Sequence, residues 1–259
     1  MLWNGSAING FRLMAGEVDV GAVHDLMFDD VQWKIRWLVV ETGHWLGQRK
    51  VLAPASALDR PDPEHRHVHI RLAAAAIKDS PTFDHDAPMD REMEGRSFTH
   101  YGLTPYWEGD YTPLRQPPPP LAAAAAGLAP APDGPQHTIT LDRAQSTGEF
   151  AHLISMAGLN GFYLEASDGD IGHVTDVLFD PETRDIRFLK VHTGEWWAGQ
   201  DVLISPHSIQ WVDMVRQNVE IDATRQKVKD APRYRETDTV DGAYEESFLT
   251  YYGIRWMKR

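Results

Sequence analysis

The chain has 259 residues, a formal net charge of −13 and no cysteine. The missing cysteines exclude disulfides and thiolate metal sites. The acidic excess, shared by both halves, argues against a phosphate-binding nucleic-acid surface and against peripheral association with an anionic membrane.

The N-terminal residues show no basic segment ahead of an apolar core, and the longest run of small apolar residues, 121–130, falls short of the ~20 residues of a membrane span. The expected location is the cytoplasm. The length suits two domains, and an internal repeat says the same. Residues 21–54 and 172–206 both read Gly-x-Val-x-Asp, Phe-Asp, Ile-Arg, an apolar run ending on Thr-Gly, then Trp, Val-Leu and Pro. The offset is 151, rising to 152 at Pro54 and Pro206, as if the second copy held one extra residue near Trp197.

In chain order, Asn9-Gly10 and Asn160-Gly161 predict a tight turn opening each unit. Short strands follow at 11–15 and 162–166, then at 20–28 and 171–179. Asp29-Asp30-Val31-Gln32 and Asp180-Pro181-Glu182-Thr183 supply the next turn. Strands at 35–41 and 186–192 are apolar on both faces, which suits a small closed barrel better than an open sheet. A Trp-bearing loop leads to Val51-Leu52 and Val202-Leu203, and Pro54 and Pro206 stop the pairing. A strand is expected at 208–213. Val68, Ile70 and Leu72, and Val219, Ile221 and Ala223, alternate with polar residues as a half-buried strand does. Short helices are expected at 73–79 and 224–230, the second capped by Thr224. Longer ones are expected at 90–101 and 241–252, with Gly102 and Gly253 at their ends. An aromatic tail closes each unit, folding back over it.

The spacing gives unit one at 1–112, a Pro/Ala-rich linker at 113–149 and unit two at 150–259, each unit with its own core. The prolines at 117–120, 130, 132 and 135 make the linker a semi-rigid spacer.

The repeated pattern resembles the PRC-barrel family. Gly172-x-Val174-x-Asp176, Phe179-Asp180, Ile186-Arg187-Phe188-Leu189, Thr193-Gly194 and Val202-Leu203 carry the resemblance, each with a partner in the first copy. The tails at His100-Tyr101-Gly102 and Tyr251-Tyr252-Gly253 look like those of bacterial tandem PRC-barrel proteins. The resemblance implies a mainly β chain of two small six-stranded barrels in tandem, each followed by one or two short α-helices. It also implies a module that binds other proteins. Examples are the cytoplasmic domain of the membrane-anchored PRC-barrel protein of the photosynthetic reaction centre, and the ribosome-maturation factor. This chain lacks the membrane helix of the first and the second domain type of the other, so neither role carries over.

The expected function is a non-enzymatic interaction or scaffold module whose partner is another protein or a second copy, with no cofactor, catalytic residue or metal site. The alternative is a small-ligand or metal sensor using the barrel mouth or His65, His67 and His69, which alternation puts on one strand face; a cryptic hydrolase is a distant third. The second copy has Arg216, Asn218 and Glu220 at those places. Asp84-His85-Asp86 is a loop with little promise as a ligand set. Asp25 and Asp176 sit among apolar residues. With Asp180 opposite Asp185, the hairpin register predicts ion pairs Asp176–Arg187 and Asp25–Arg36. The partner-binding loops are expected at Trp45 and Leu46 and at Trp196 and Trp197, since Trp dominates binding hot spots. The bland alternative is that these rings cap their own barrels.

Overall fold

The computed structural model describes residues 2–43, 49–83, 91–108, 153–194, 197, 199–235 and 240–253. Unit one contains β1 (Trp3–Asn4), β2 (Arg12–Ala15), β3 (Val18–Asp29), β4 (Lys34–Thr42), β5 (Lys50–Pro54) and β6 (His67–His69), then α1 (Ala74–Lys78) and α2 (Arg91–Tyr101). Unit two opens with β7 (Leu153–Ser155) and α3 (Met156–Leu159). Then come β8 (Tyr163–Ala166), β9 (Gly169–Phe179), β10 (Ile186–Thr193), β11 (Asp201–Ile204), β12 (Ile209–Asp213), β13 (Asn218–Ile221), α4 (Arg225–Lys229) and α5 (Gly242–Tyr252).

Each unit builds one sheet. The first runs β5-β4-β3-β2-β6 and the second β11-β10-β9-β8-β13-β12. The first four strands of each order pair antiparallel, β2 with β6 and β8 with β13 pair parallel, and unit two adds the antiparallel pair β12–β13. Neither sheet closes among the described residues: no pairing joins β5 to β6 or β11 to β12. The expected closed barrels are therefore open sheets. Short 3-10 turns at Ala55–Ala57 and Pro206–Ser208 follow β5 and β11, and Pro54 and Pro206 offer no N–H to a closing ladder.

Backbone geometry repeats with the sequence. Among the described residues the four non-glycine positions at positive φ are Trp33 and Arg66 in unit one and Arg184 and Gln217 in unit two, two pairs each 151 residues apart. The offset also holds through the Trp loop. Thr42 N donates to Arg49 O and Thr193 N to Gln200 O. Pro54 and Ser205 each precede their 3-10 turn. The apparent extra residue near Trp197 does not exist. Pro206 occupies the first position of its turn, one place later than Pro54, because either site tolerates a ring that fixes φ and lacks an N–H.

The units are interlocked. β2 is short and leaves the C-terminal end of β3 with an open edge, which β7, from beyond the linker, covers: Met27, Phe28 and Asp29 pair with Ser155, Ile154 and Leu153. Reciprocally, Trp3 and Asn4 pair with Phe179 and Leu178 of β9. Between them, Ile35 N donates to Arg184 O (2.9 Å) and Ile186 N to Trp33 O (2.7 Å). Lys34 Nζ meets Asp185 at 2.9 Å. Lys34 and Asp185 are equivalent positions, so the contact has the self-complementary form of a two-fold dimer within one chain. The repeat predicts two separate cores. Instead a single apolar cluster holds buried residues of both units, among them Phe11, Phe28 and Trp33 with Phe162, Ile186 and Leu189.

The outer face of each sheet has its own cover. Met27, Trp37, Val39 and Leu52 pack under α2 and its tail, where Tyr106 and Trp107 fold back as expected. Leu178, Phe188 and Leu203 pack under α5 with Tyr234 and Val240. Asp241 caps α5 by accepting from Ala243 N and Tyr244 N, and Gly253 ends it at φ 71°. The Thr224 side chain caps α4. Asp90 and Trp256 lie outside the described residues.

Candidate functional site

The two acids embedded in apolar strands hold the interlock. Asp25, 1 % exposed, accepts from the Ser155 hydroxyl, from Ala157 N (3.1 Å) and from Leu26 N (2.8 Å). Asp176 accepts from the Ser6 hydroxyl (2.5 Å), Ser6 N (3.1 Å) and Val177 N (2.8 Å). Each carboxylate thus satisfies the first turn of a short helical segment that reaches it across the unit boundary, where backbone N–H groups lack intrahelical partners.

The predicted ion pairs are replaced by others. Asp180 N does donate to Asp185 O, as the turn demands. The ladder then slips at a β-bulge, so Phe179 opposes Ile186 while Leu178 opposes Phe188, and Arg187 has no opposite residue. Unit one bulges identically at Arg36. An extra residue reverses which face the side chain takes, so Asp176 does not meet Arg187, nor Asp25 Arg36. Arg36 Nε pairs with Asp29 (2.7 Å) and Nη2 with Gln32 (2.6 Å). Arg187 Nε pairs with Glu245 of α5 (2.8 Å).

Of the predicted partner-binding loops, Trp45, Leu46 and Trp196 lie outside the described residues. Trp197 is half-buried and packs against the shared core, and it lines a cleft of about 410 Å³. Leu203, Val228, Pro232 and Tyr234 form the apolar part; His192, Asp201, Arg233 and Arg235 form the polar rim. Asp201 is engaged by His192 Nδ1 (2.9 Å) and Lys190 Nζ (3.2 Å). Burial pushes its carboxyl pKa up, but the hydrogen bonds from His192 and Lys190 outweigh this and hold it below the usual range. Unit one differs at the equivalent place. Arg49, the counterpart of Gln200, fills the space by donating to Ser80 O (2.7 Å), Thr82 Oγ1 (3.0 Å) and Lys78 O.

The three histidines do not share a strand face. Arg66 at φ 53° breaks the extended backbone, so His65 lies in the turn before β6 and bonds Asp62 (2.8 Å). Neighbouring rings stand 6.3 and 6.4 Å apart. Among the described residues no three His, Asp or Glu are grouped to hold a metal. Asp84, His85 and Asp86 lie outside the described residues. No helix there is long and apolar enough to cross a membrane.

One surface feature is visible only in the structure. Met214 and Val215, 46 % and 93 % exposed, occupy the β12–β13 turn, and Tyr163, 65 % exposed, opens β8 beside it. Unit one has Pro63, Glu64 and Arg12 in the same places. The turn itself is the same in both: Asp62 and Asp213 each accept two backbone N–H groups. The apolar pair Met-Val inside a turn was the available signal, because turns are ordinarily polar.

No curated protein matches this chain. The family model for the PRC-barrel domain matches residues 163–228, from the start of β8 into α4.

Proposed function

We propose that the chain is a non-enzymatic protein-interaction module of two PRC-type units, 1–112 and 150–259, joined by the linker at 113–149. The second unit carries the family match. Residues 12–77 repeat its strand order, bulge and positive-φ positions at the offset of 151, and this supports reading them as a second domain of the same kind in tandem. The observation that carries the function is an asymmetry. The residues that hold the fold recur in both units, whereas the exposed apolar cluster of Tyr163, Met214 and Val215 is replaced in unit one by Arg12, Pro63 and Glu64. Free apolar side chains clustered at one end of a sheet mark a contact site. The partner is a protein with an apolar centre and, given the charge of −13, a basic rim.

The test is affinity capture from the source organism with the whole chain, set against Val215→Asp and Tyr163→Ser. The substitutions are at exposed positions, so the melting temperature should hold within about 2 °C. The specific partner should be captured at least ~10-fold less well, the ratio that ~1.4 kcal/mol gives. Sedimentation of the chain alone separates a second copy from a foreign partner. Undiminished capture by the folded double variant would remove this surface from the account.

A further inference from the structure

We infer that the cleft beside Trp197 binds a small organic carboxylate with an apolar or aromatic body, a property separate from the partner surface above. The first support is the contrast between units. At the equivalent place Arg49 is the protein's own occupant, its guanidinium spent on the carbonyls of Lys78 and Ser80 and the hydroxyl of Thr82. Unit two replaces Arg49 with Gln200, Ser80 with Ala231 and Thr82 with Arg233. The plug is lost together with the Thr82 hydroxyl, the one side chain among its acceptors, and a cation takes that hydroxyl's place on the wall.

Charge and shape then name the ligand. Asp201 is paired with Lys190 and hydrogen-bonded by His192, and Arg233 brings a further cation to the rim. Arg233 is exposed and has no ion pair among the described residues. A guanidinium offers the paired N–H groups that match a carboxylate. The floor of Leu203, Val228 and Tyr234 buries an apolar body, and about 410 Å³ suits a small ligand.

The experiment uses the whole chain with methyl-labelled Leu and Val, titrated by NMR with 4-phenylbutanoate, octanoate and 4-phenylbutanamide. Both carboxylates should give saturable shifts at Val202, Leu203 and Val228, with the amide at least ~10-fold weaker, as loss of a charge-assisted pair implies. Gln200→Arg, which restores the plug of unit one, should abolish the shifts; Arg233→Ala, at an exposed position that folding does not depend on, should weaken them at least ~5-fold. Absence of saturable shifts from both carboxylates up to ~10 mM, equal binding of the amide, or full binding by Arg233→Ala would each overturn the inference.

Discussion

Glu94 and Glu245 occupy the same place in the two units and meet different partners. Glu245 has the arginine of its own bulge, Arg187, at 2.8 Å. In unit one that arginine is taken by Asp29 and Gln32. Glu94, 2 % exposed, accepts instead from Trp37 Nε1 at 3.0 Å and, at a long 3.4 Å, from the Tyr106 hydroxyl. Burial pushes its pKa up to about 7, with Trp37, Arg91, Tyr106 and Arg36 opposing. The folded state therefore holds the Glu94 proton to higher pH than the unfolded chain, whose value lies near 4.5. Unfolding releases a proton between those two values, so this group's stability contribution is largest below pH 4.5 and falls as pH rises through about 7. Urea unfolding from pH 4.5 to 8 should show the wild type losing on the order of 2 kcal/mol relative to Glu94→Gln. A difference that is flat across that range would show that Glu94 is ionised throughout.

At the scale of elements, the sequence predicted most strands, both turns and the capped helices, because alternation, Asp-rich turns and Thr or Asp caps are local signals. Three features were not local. The bulges at Arg36 and Arg187 leave no mark on the apolar pattern, and they misdirected the ion pairs. β1 and β7 are two and three residues long, too short for a period to show. Their partners lie in the other unit, so only the fold could identify them. Of the candidate site, Trp197 was legible as a residue beside the apolar core, while Trp45, Leu46 and Trp196 lie outside the described residues. The cleft beside Trp197 arises from Gln200 facing Arg233 across distant elements, which no local spacing encodes. The glycine that opens both copies of the repeat has a cause that only the packing reveals. A Cβ on Gly172 would strike His192 O and lie 2.8 Å from Thr193 Cα, and Gly21 meets Glu41 O and Thr42 Cα likewise. These strands touch backbone to backbone. Gly172→Ala should therefore destabilise the protein by about 3 kcal/mol or more, and Gly21→Ala similarly. Gly242→Ala, where a Cβ meets open space, is the control and should be neutral or slightly stabilising in denaturant titrations.

The whole molecule is organised by exchange: each unit lends a short strand to the other's sheet, and an acid in each receiving sheet holds the lent segment. Neither half therefore completes its own edge. Residues 1–112 and 150–259, produced separately, would each expose the strand end that the other covers, β3 in one and β9 in the other, and an exposed edge invites association. The shared core and the two-fold contact at Lys34 and Asp185 add to the coupling. A partner bound to unit two, as proposed above, would thereby be held by the entire chain.

Hydrogen exchange on Asp25→Ala in the whole chain tests this account most directly. Asp25 lies in unit one, and its substitution removes the acceptor of Ser155 and Ala157. The expected cost is on the order of 2–4 kcal/mol, the loss of charge-assisted hydrogen bonds at a buried site. If the units form one cooperative body, the slowest-exchanging amides of β9 and β10 in unit two should lose protection by the same free energy as those of β3 and β4 in unit one. Lost protection in unit one with unchanged protection in β9 and β10 would contradict it, and would show two independent domains that merely touch.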